Sequence, residues 1–144
     1  MITMRVAKIE DLIELGGNAM DPGIDTNQGD IRHWAQRNLE FGPAYTAECE
    51  GRAIAAFGVW LVRPGLGLAW IVVSRDIERS FAFMKEWLIK NRMMVEAMAE
   101  TFGLRKMRAI SRIGFVQSQS LLDHLGFERL RKWRKDYYIY RRSF

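Results

Sequence analysis

Apolar residues recur at two different spacings along the chain, and these spacings predict its secondary structure. In four segments they recur every three to four positions, as on one face of an amphipathic helix. The helices predicted in this way span residues 8–16, 31–40, 78–102 and 117–124. Elsewhere apolar residues alternate with polar ones or run without interruption, which is typical of strands. The predicted strands span residues 2–6, 44–50, 53–62, 68–73, 104–111, 127–133 and 137–142.

The order of these elements predicts a layered α/β or α+β fold. Residues 53–62 and 68–73 are apolar on both faces, which indicates central strands covered on both sides. A chain of 144 residues can bury a core without disulfides or a metal. We therefore expect one domain, residues 1–144, with about four helices and a central, mixed, mostly antiparallel sheet of about six to seven strands in three layers.

The composition bears on compartment and on membranes. Residues 53–74 are apolar except for Arg63, which is long enough to cross a bilayer. Residues 63–67 read Arg-Pro-Gly-Leu-Gly, a turn sequence that would break a spanning helix, so two strands and no membrane insertion are expected. Cys49 is the only cysteine, and no charged leader followed by an apolar stretch opens the chain. We therefore expect synthesis in a reducing cytoplasm.

The net charge of +5 is concentrated near the C-terminal end. Residues 128–142 contain two acidic residues and seven basic ones: Arg129, Arg131, Lys132, Arg134, Lys135, Arg141 and Arg142. Strand alternation predicts that Arg129, Arg131, Trp133 and Lys135 share one face, with Lys132 and Arg134 on the other. Such a surface suits a solvated edge or protein contact, a nucleic acid, or an anionic cofactor or membrane.

Methionines in the long predicted helix are a second candidate surface. Met93 and Met94 lie partly off the main apolar stripe. Flexible thioethers fill irregular gaps in cores and also suit surfaces that meet a partner protein. Core packing and an interface therefore both stay open for these two residues.

A motif near the end of the chain carries a family resemblance. Residues 118–127 read Ser-Gln-Ser-Leu-Leu-Asp-His-Leu-Gly-Phe and precede a basic strand. Together with the order of elements, this segment resembles the GNAT N-acetyltransferase superfamily, in which an aromatic or leucine pair on the fourth helix precedes a Leu-Gly-Phe stop. Residues 69–142 also resemble the small internal virion proteins of short-tailed bacteriophages, which are GNAT-like in fold. That resemblance implies a protein made in the host cytoplasm, incorporated into the phage virion and bound to other phage structural proteins.

The loop before the long helix bears on whether acetyl transfer is retained. In active GNAT enzymes it reads Arg/Gln-x-x-Gly-x-Gly/Ala, because glycines let the coenzyme A pyrophosphate approach backbone N–H groups at the helix start. The nearest registration puts Arg79, Ala82 and Met84 at the motif's arginine and two glycine positions, so no glycine remains. Asp76 and Glu78 also bring negative charge to this place. If acetyl-CoA binds nevertheless, the resemblance assigns its contacts to Val73, Arg75, Arg79, Ser80 and Ala82.

Residues for proton transfer depart from the family pattern as well. The resemblance places a tyrosine four residues before the glycine of the Leu-Gly-Phe stop, and Leu122 stands there. The fourth strand carries no carboxylate, which leaves Glu48 and Glu50 on a neighbouring strand as candidates for a base or as an exposed polar face. Glu10 and Asp11 lie on the polar face of the first predicted helix.

These observations together favour a protein without an enzymatic role. No cluster of His, Cys and carboxylate has the spacing of a metal site, so no metal is expected. We expect a phage virion-associated protein with a GNAT-like fold that lacks acetyl transfer, needs no cofactor and acts by protein–protein contact. Two alternatives stay open: an acyl-CoA-dependent N-acetyltransferase with a divergent cofactor loop, and a nucleic-acid-binding module that uses the basic C-terminal hairpin.

Overall fold

A computed structural model describes residues 2–19, 30–76 and 81–144 of the chain. The strands are β1 (Ile2–Val6), β2 (Ala44–Cys49), β3 (Arg52–Arg63), β4 (Leu66–Val73), β5 (Lys106–Arg112), β6 (Glu128–Trp133) and β7 (Tyr137–Ser143). The helices are α1 (Ile9–Gly17), α2 (Asp30–Glu40), α3 (Phe81–Thr101) and α4 (Val116–His124). The predicted order of elements is confirmed, and the boundaries differ from the prediction by a few residues.

The strands form one mixed sheet of seven strands in the order β1-β2-β3-β4-β5-β7-β6. The pairs β1–β2, β2–β3, β5–β7 and β6–β7 are antiparallel, whereas β4 and β5 are parallel. A parallel pair needs a crossover connection, and α3 lies in it. The predicted mixed α+β fold is therefore confirmed.

Residue contacts divide the chain into two compact units. The first unit comprises Met1–Trp60 and Trp70–Trp87, and the second comprises Leu61–Ala69 and Leu88–Phe144. The single domain spanning the whole chain stays a prediction. In the first unit, α1 and α2 bury apolar side chains together with β3 and β4, and the most buried are Leu12, Leu15, Ala35, Ala56 and Val72.

A glycine in β3 makes room for a tryptophan of β4. A Cβ at Gly58 would lie 2.5 Å from Cζ2 of Trp70 and 2.7 Å from the carbonyl oxygen of Pro43. That carbonyl accepts a hydrogen bond from Val59 N–H at 3.1 Å, which holds it in place. The Trp70 ring also packs edge-to-face against Trp34, with 6.4 Å between ring centroids. Only a residue without a side chain therefore fits at this point of β3.

In the second unit, β5 has one buried and one exposed face. The side chains at positions 107, 109 and 111 are buried, and those at 106, 108 and 110 are exposed. The buried face continues onto β7, where Tyr140 lies opposite Ala109 and is itself buried. The opposite face of these strands is accessible to solvent.

The Leu-Gly-Phe stop of α4 is held by an arginine of β7. Gly126 has a φ of +84°, in the left-handed region that favours glycine, and its N–H donates to the Asp123 carbonyl at 3.0 Å. Arg142 donates to the Leu125 carbonyl at 3.0 Å and pairs with Glu96 of α3 at 2.7 Å. One of the seven clustered basic residues therefore fastens a helix end within the second unit.

We predict that Gly58→Ala destabilises the protein by about 3 kcal/mol, because the new methyl group overlaps Trp70 and a hydrogen-bonded carbonyl. Urea unfolding followed by tryptophan fluorescence measures the change. Gly17→Ala is the matched control, since no atom lies within 4 Å of a Cβ at Gly17. Equal stabilities of the two variants would contradict the close packing of Trp70 on β3.

Candidate functional site

The C-terminal end of β4 directs backbone groups to both of its sides. Ser74 N–H donates to the Ile54 carbonyl of β3 at 2.8 Å, and Arg75 N–H donates to the Asn18 carbonyl at 3.0 Å on the other side. Because successive residues of a strand point their backbone groups to opposite sides, Ile71 and Val73 direct theirs away from β3. β4 therefore directs these groups to the edge of the first unit.

Strand pairing on this side of β4 is short. β4 pairs with β5 at Leu66↔Lys106, Gly67↔Met107 and Leu68↔Arg108. Within the described residues no strand pairs with β4 at Ile71 and Val73 on the side away from β3, and an isolated antiparallel bridge joins Ala19 to Ser74 just beyond them. Backbone N–H and C=O groups seek hydrogen-bond partners, so this edge is suited to an amide-bearing ligand.

The end of α1 is tied to the end of β4 by polar contacts. The Asn18 amide donates to Ser74 Oγ at 3.2 Å and to Asp76 Oδ2 at 3.3 Å. Ser74 is buried, and its Oγ also accepts the Asp76 N–H at 3.1 Å. Arg75 Nε donates to the Ala19 carbonyl at 3.0 Å. These bonds hold the residues that follow β4 against the end of α1.

The predicted cofactor residues are placed in part. Val73 and Arg75 lie at this end of β4, whereas Arg79 and Ser80 lie outside the described residues. Ala82 belongs to the first turn of α3. Asp76, which brings negative charge here, lies 3.7 Å from Arg52 Nη2. The assignment of these five residues to acetyl-CoA stays a prediction.

The candidate base Glu48 is engaged by an arginine of β1. Arg5 donates from Nε to Glu48 and makes two further hydrogen bonds to Asp11, at 2.6 and 2.8 Å. These bonds raise the pKa of the Arg5 guanidinium further, so its positive charge is permanent. Glu48 therefore has a structural partner within the first unit.

Asp11 is the centre of this network, although the sequence placed it on the polar face of a helix. The structure leaves it 7% exposed. Its carboxylate also accepts hydrogen bonds from Lys8 N–H at 2.9 Å and from Thr46 Oγ1 at 3.1 Å. Burial by itself raises the pKa of Asp11, but the hydrogen bonds from Arg5, Lys8 and Thr46 and the charge of Arg5 hold that pKa below its usual value. The available signal was an acidic residue at the third helical position, where a carboxylate can cap the helix start.

Two other residues considered for proton transfer lie in an exposed turn and in α4. Glu50 has a φ of 51° in the exposed turn between β2 and β3, next to Gly51. Leu122, at the position of the family's tyrosine, is 6% exposed and packed in the second unit. Leu122 carries no group that can take up or release a proton, and Glu50 stays a predicted candidate base.

The prediction that Arg129 and Arg131 share one face of the last hairpin is wrong. Arg129 lies opposite Tyr140 and Arg131 lies opposite Ile139, because the register shifts between them. This bulge adds one residue to β6 and puts the two arginines on opposite faces, which simple alternation cannot anticipate. Trp133 stays on the face of Arg131. Arg134 and Lys135 lie in the turn between β6 and β7.

The structure locates other residues singled out in the sequence but does not test their predicted roles. Met93 is 63% exposed and Met94 is half-buried, and their service as an interface stays a prediction. In the described part of the chain, no group of three or more His, Cys, Asp or Glu could hold a metal ion. Among the same residues, no helix is long and apolar enough to span a membrane.

Solved structures of N-acetyltransferases share this fold. The ribosomal-protein-S5-alanine acetyltransferase from Vibrio fischeri aligns with a TM-score of 0.74 and 13% identity over 99% of this chain and 92% of its own. A ribosomal L7/L12 alpha-N-protein acetyltransferase in complex with coenzyme A aligns at 0.73 and 14% over 99% and 93%. The IAA acetyltransferase from Bacillus cereus aligns at 0.71 and 16% over the full length of both chains. No protein-family model and no curated protein matches the chain.

The chain therefore has the GNAT fold, as the sequence predicted, but the expectation of a phage virion protein without acetyl transfer is wrong. The solved structures named above are acetyltransferases, and none of them is a virion protein. The resemblance to virion proteins rested on a strand, a long helix, a second strand and a Leu-Gly helix stop. These are elements of the GNAT fold in general, so they could not distinguish one role within it from another.

We predict that Asp11→Asn lowers the free energy of unfolding by about 2–3 kcal/mol at pH 7, because Arg5 loses a buried carboxylate partner. Ionised Asp11 stabilises the fold fully above its unfolded pKa of about 4, and this contribution is lost as the pH falls through its lower folded pKa. The difference between variant and native protein should therefore narrow below about pH 4. Urea unfolding at pH 7 and at about pH 3 measures both values.

Glu14→Gln is the matched control, since it removes an exposed carboxylate from the same helix. Its effect at pH 7 should stay within about 0.5 kcal/mol. A loss in Asp11→Asn that is the same at both pH values would contradict the stabilising role of the ionised form.

Proposed function

We propose that the chain is an acyl-CoA-dependent N-acyltransferase. The observation that carries this proposal is the edge of β4 at Ile71 and Val73, with which no strand of the described residues pairs, in a fold shared with the acetyltransferases named above. One of those proteins was solved in complex with coenzyme A. The fold alone is compatible with many activities, so the proposal depends on this edge.

The edge of β4 fits one part of coenzyme A. The cofactor's flexible arm contains amide groups, which can pair with backbone N–H and C=O groups as an added strand does. Ile71 and Val73 direct such groups to the side away from β3. Arg75 follows directly and adds positive charge, and α3 begins a few residues later, where helix N–H groups favour phosphate. Ile71, Val73 and Arg75 would hold the cofactor at this edge.

The residues of this chain offer positioning more than proton transfer. Acyl-coenzyme A, when bound, would supply a thioester that an amine can attack, with the coenzyme A thiolate as the leaving group. Glu48 is paired with Arg5, and Leu122 has no proton to donate. Holding a neutral amine against a bound thioester raises its effective concentration strongly, and no general base is needed for that contribution. Water would take the proton from the attacking amine and return one to the departing thiolate.

We predict that acetyl-CoA binds the native protein and that Val73→Pro weakens this binding at least tenfold. Proline removes the N–H that points to the open edge, and proline is tolerated in a strand where its nitrogen faces no neighbouring strand. Isothermal titration calorimetry measures the affinity. Val73→Ala is the matched control, because it shortens the side chain and keeps the N–H.

The outcomes separate the proposal from its alternatives. Binding by the native protein and Val73→Ala, with loss in Val73→Pro at an unchanged melting temperature, supports cofactor contact at this edge. Should Val73→Pro fail to fold, an Arg75→Ala variant tests the same end of β4 through the charge on the phosphates. A native protein that does not bind acetyl-CoA at millimolar concentration would overturn the proposed function.

A further inference from the structure

The open face of β5, β7 and β6 is basic. Strand register places these residues on it: Lys106, Arg108, Ile110 and Arg112 of β5, Tyr137, Ile139 and Arg141 of β7, and Glu128, Arg131 and Trp133 of β6. Tyr140 and the side chains at 107, 109 and 111 lie on the opposite, buried face. We call this set the open face. It has five basic residues and one acidic residue, all within the second unit.

Most of the positive charges of the open face have no ion-pair partner among the described residues. None of Lys106, Arg108, Arg131 and Arg141 forms an ion pair with another described residue. Arg108 lies directly opposite Arg141, a like-charge pair that destabilises a sheet, and Glu128, opposite Arg141 on its other side, forms no ion pair with it. Residue pairs that destabilise a fold, with no other contact to offset the loss, are expected at binding surfaces. The open face therefore has the features of a site for an anionic partner.

Aromatic rings and guanidinium groups are interleaved at one end of the open face. The rings of Trp133 and Tyr137 meet edge to face with 6.1 Å between centroids. Arg112 lies over the Tyr137 ring at 5.8 Å, and Arg134 lies over the Trp133 ring at 4.4 Å. The Nε of Arg112 is buried and has no hydrogen-bond partner in the described structure. This end can stack a planar group as well as bind an anion.

We propose that the open face binds single-stranded nucleic acid. A single strand supplies both phosphates for the basic residues and planar bases for the rings, whereas an acidic protein supplies charge alone. Unstacked bases on an exposed sheet with aromatic side chains are a known mode of single-strand recognition. The proposal is independent of acyl transfer, because it uses residues of the second unit and not the edge of β4.

The first experiment uses the native protein and labelled oligonucleotides of about 16 bases, oligothymidylate in one arm and oligouridylate in the other. Fluorescence anisotropy between about 50 and 200 mM salt should give binding that weakens steeply with salt. The two arms distinguish DNA from RNA as the preferred strand. A duplex of the same length and polyglutamate serve as competitors, and both should displace the single strand poorly.

Variants on the two faces of the same strands test where the oligonucleotide binds. Replacing Arg108, Arg131 and Arg141 together with Ala should make the dependence of log affinity on log salt less steep, by about 2 in slope. Trp133→Ala should weaken binding about tenfold through lost stacking. The matched control Lys132→Ala removes one positive charge next to Arg131 but from the other face. It should change affinity less than twofold.

Three results would overturn the proposal. The first is absence of binding by the native protein at about 50 mM salt. The second is an equal loss in Lys132→Ala and in the single variant Arg131→Ala. The third is displacement by polyglutamate as effective as by unlabelled oligonucleotide, which would assign the open face to acidic proteins. Circular dichroism melting checks that each variant folds. Where an arginine-to-alanine variant does not fold, glutamine takes the place of alanine, as in Arg131→Gln.

Discussion

A single buried carboxylate, that of Asp11, fixes the arrangement of the first unit. It accepts hydrogen bonds from the side chain of Arg5 in β1, from Lys8 N–H at the start of α1 and from Thr46 in β2. A buried charge is costly unless its bonding capacity is filled, so these elements must keep their positions together. The place of α1 then decides where Asn18, the residue that follows α1, meets the end of β4. The geometry of the candidate site therefore begins with this ion pair.

The end of β4 illustrates how a site can consist mainly of backbone. Val73 and Ile71 contribute N–H and C=O groups, and their side chains have no chemistry of their own. The same network that orders this edge also removes Glu48 from consideration as a free base, because Arg5 holds both Glu48 and Asp11. Structural and catalytic uses of a carboxylate compete, and here the structural use is the one that the contacts satisfy. Chemistry at this edge would rest on orientation.

The second unit divides its basic residues between two tasks. Arg142 caps the end of α4 and pairs with Glu96, on the buried side of the sheet. Arg131 and Arg141 face the open side, where β5 adds Lys106 and Arg108 from a distant part of the sequence. The excess charge of the C-terminal segment is therefore neither a uniform tail nor one patch. Its distribution follows the pleat of the sheet and one bulge.

The sequence by itself determined the elements, their order and the fold class, because these follow from local periodicity and from glycines such as Gly126 that only certain turns accept. It did not determine that Asp11 is buried, since its helical position looks polar until β1 and β2 pack beside it. It also could not show that Arg129 and Arg131 lie on opposite faces of β6, because the alternation of residue types along a strand does not reveal a bulge. Tertiary structure decided which strands pair with β4 and which charges share a face. These properties depend on which strands lie side by side, and periodicity along one strand carries no information about its neighbours.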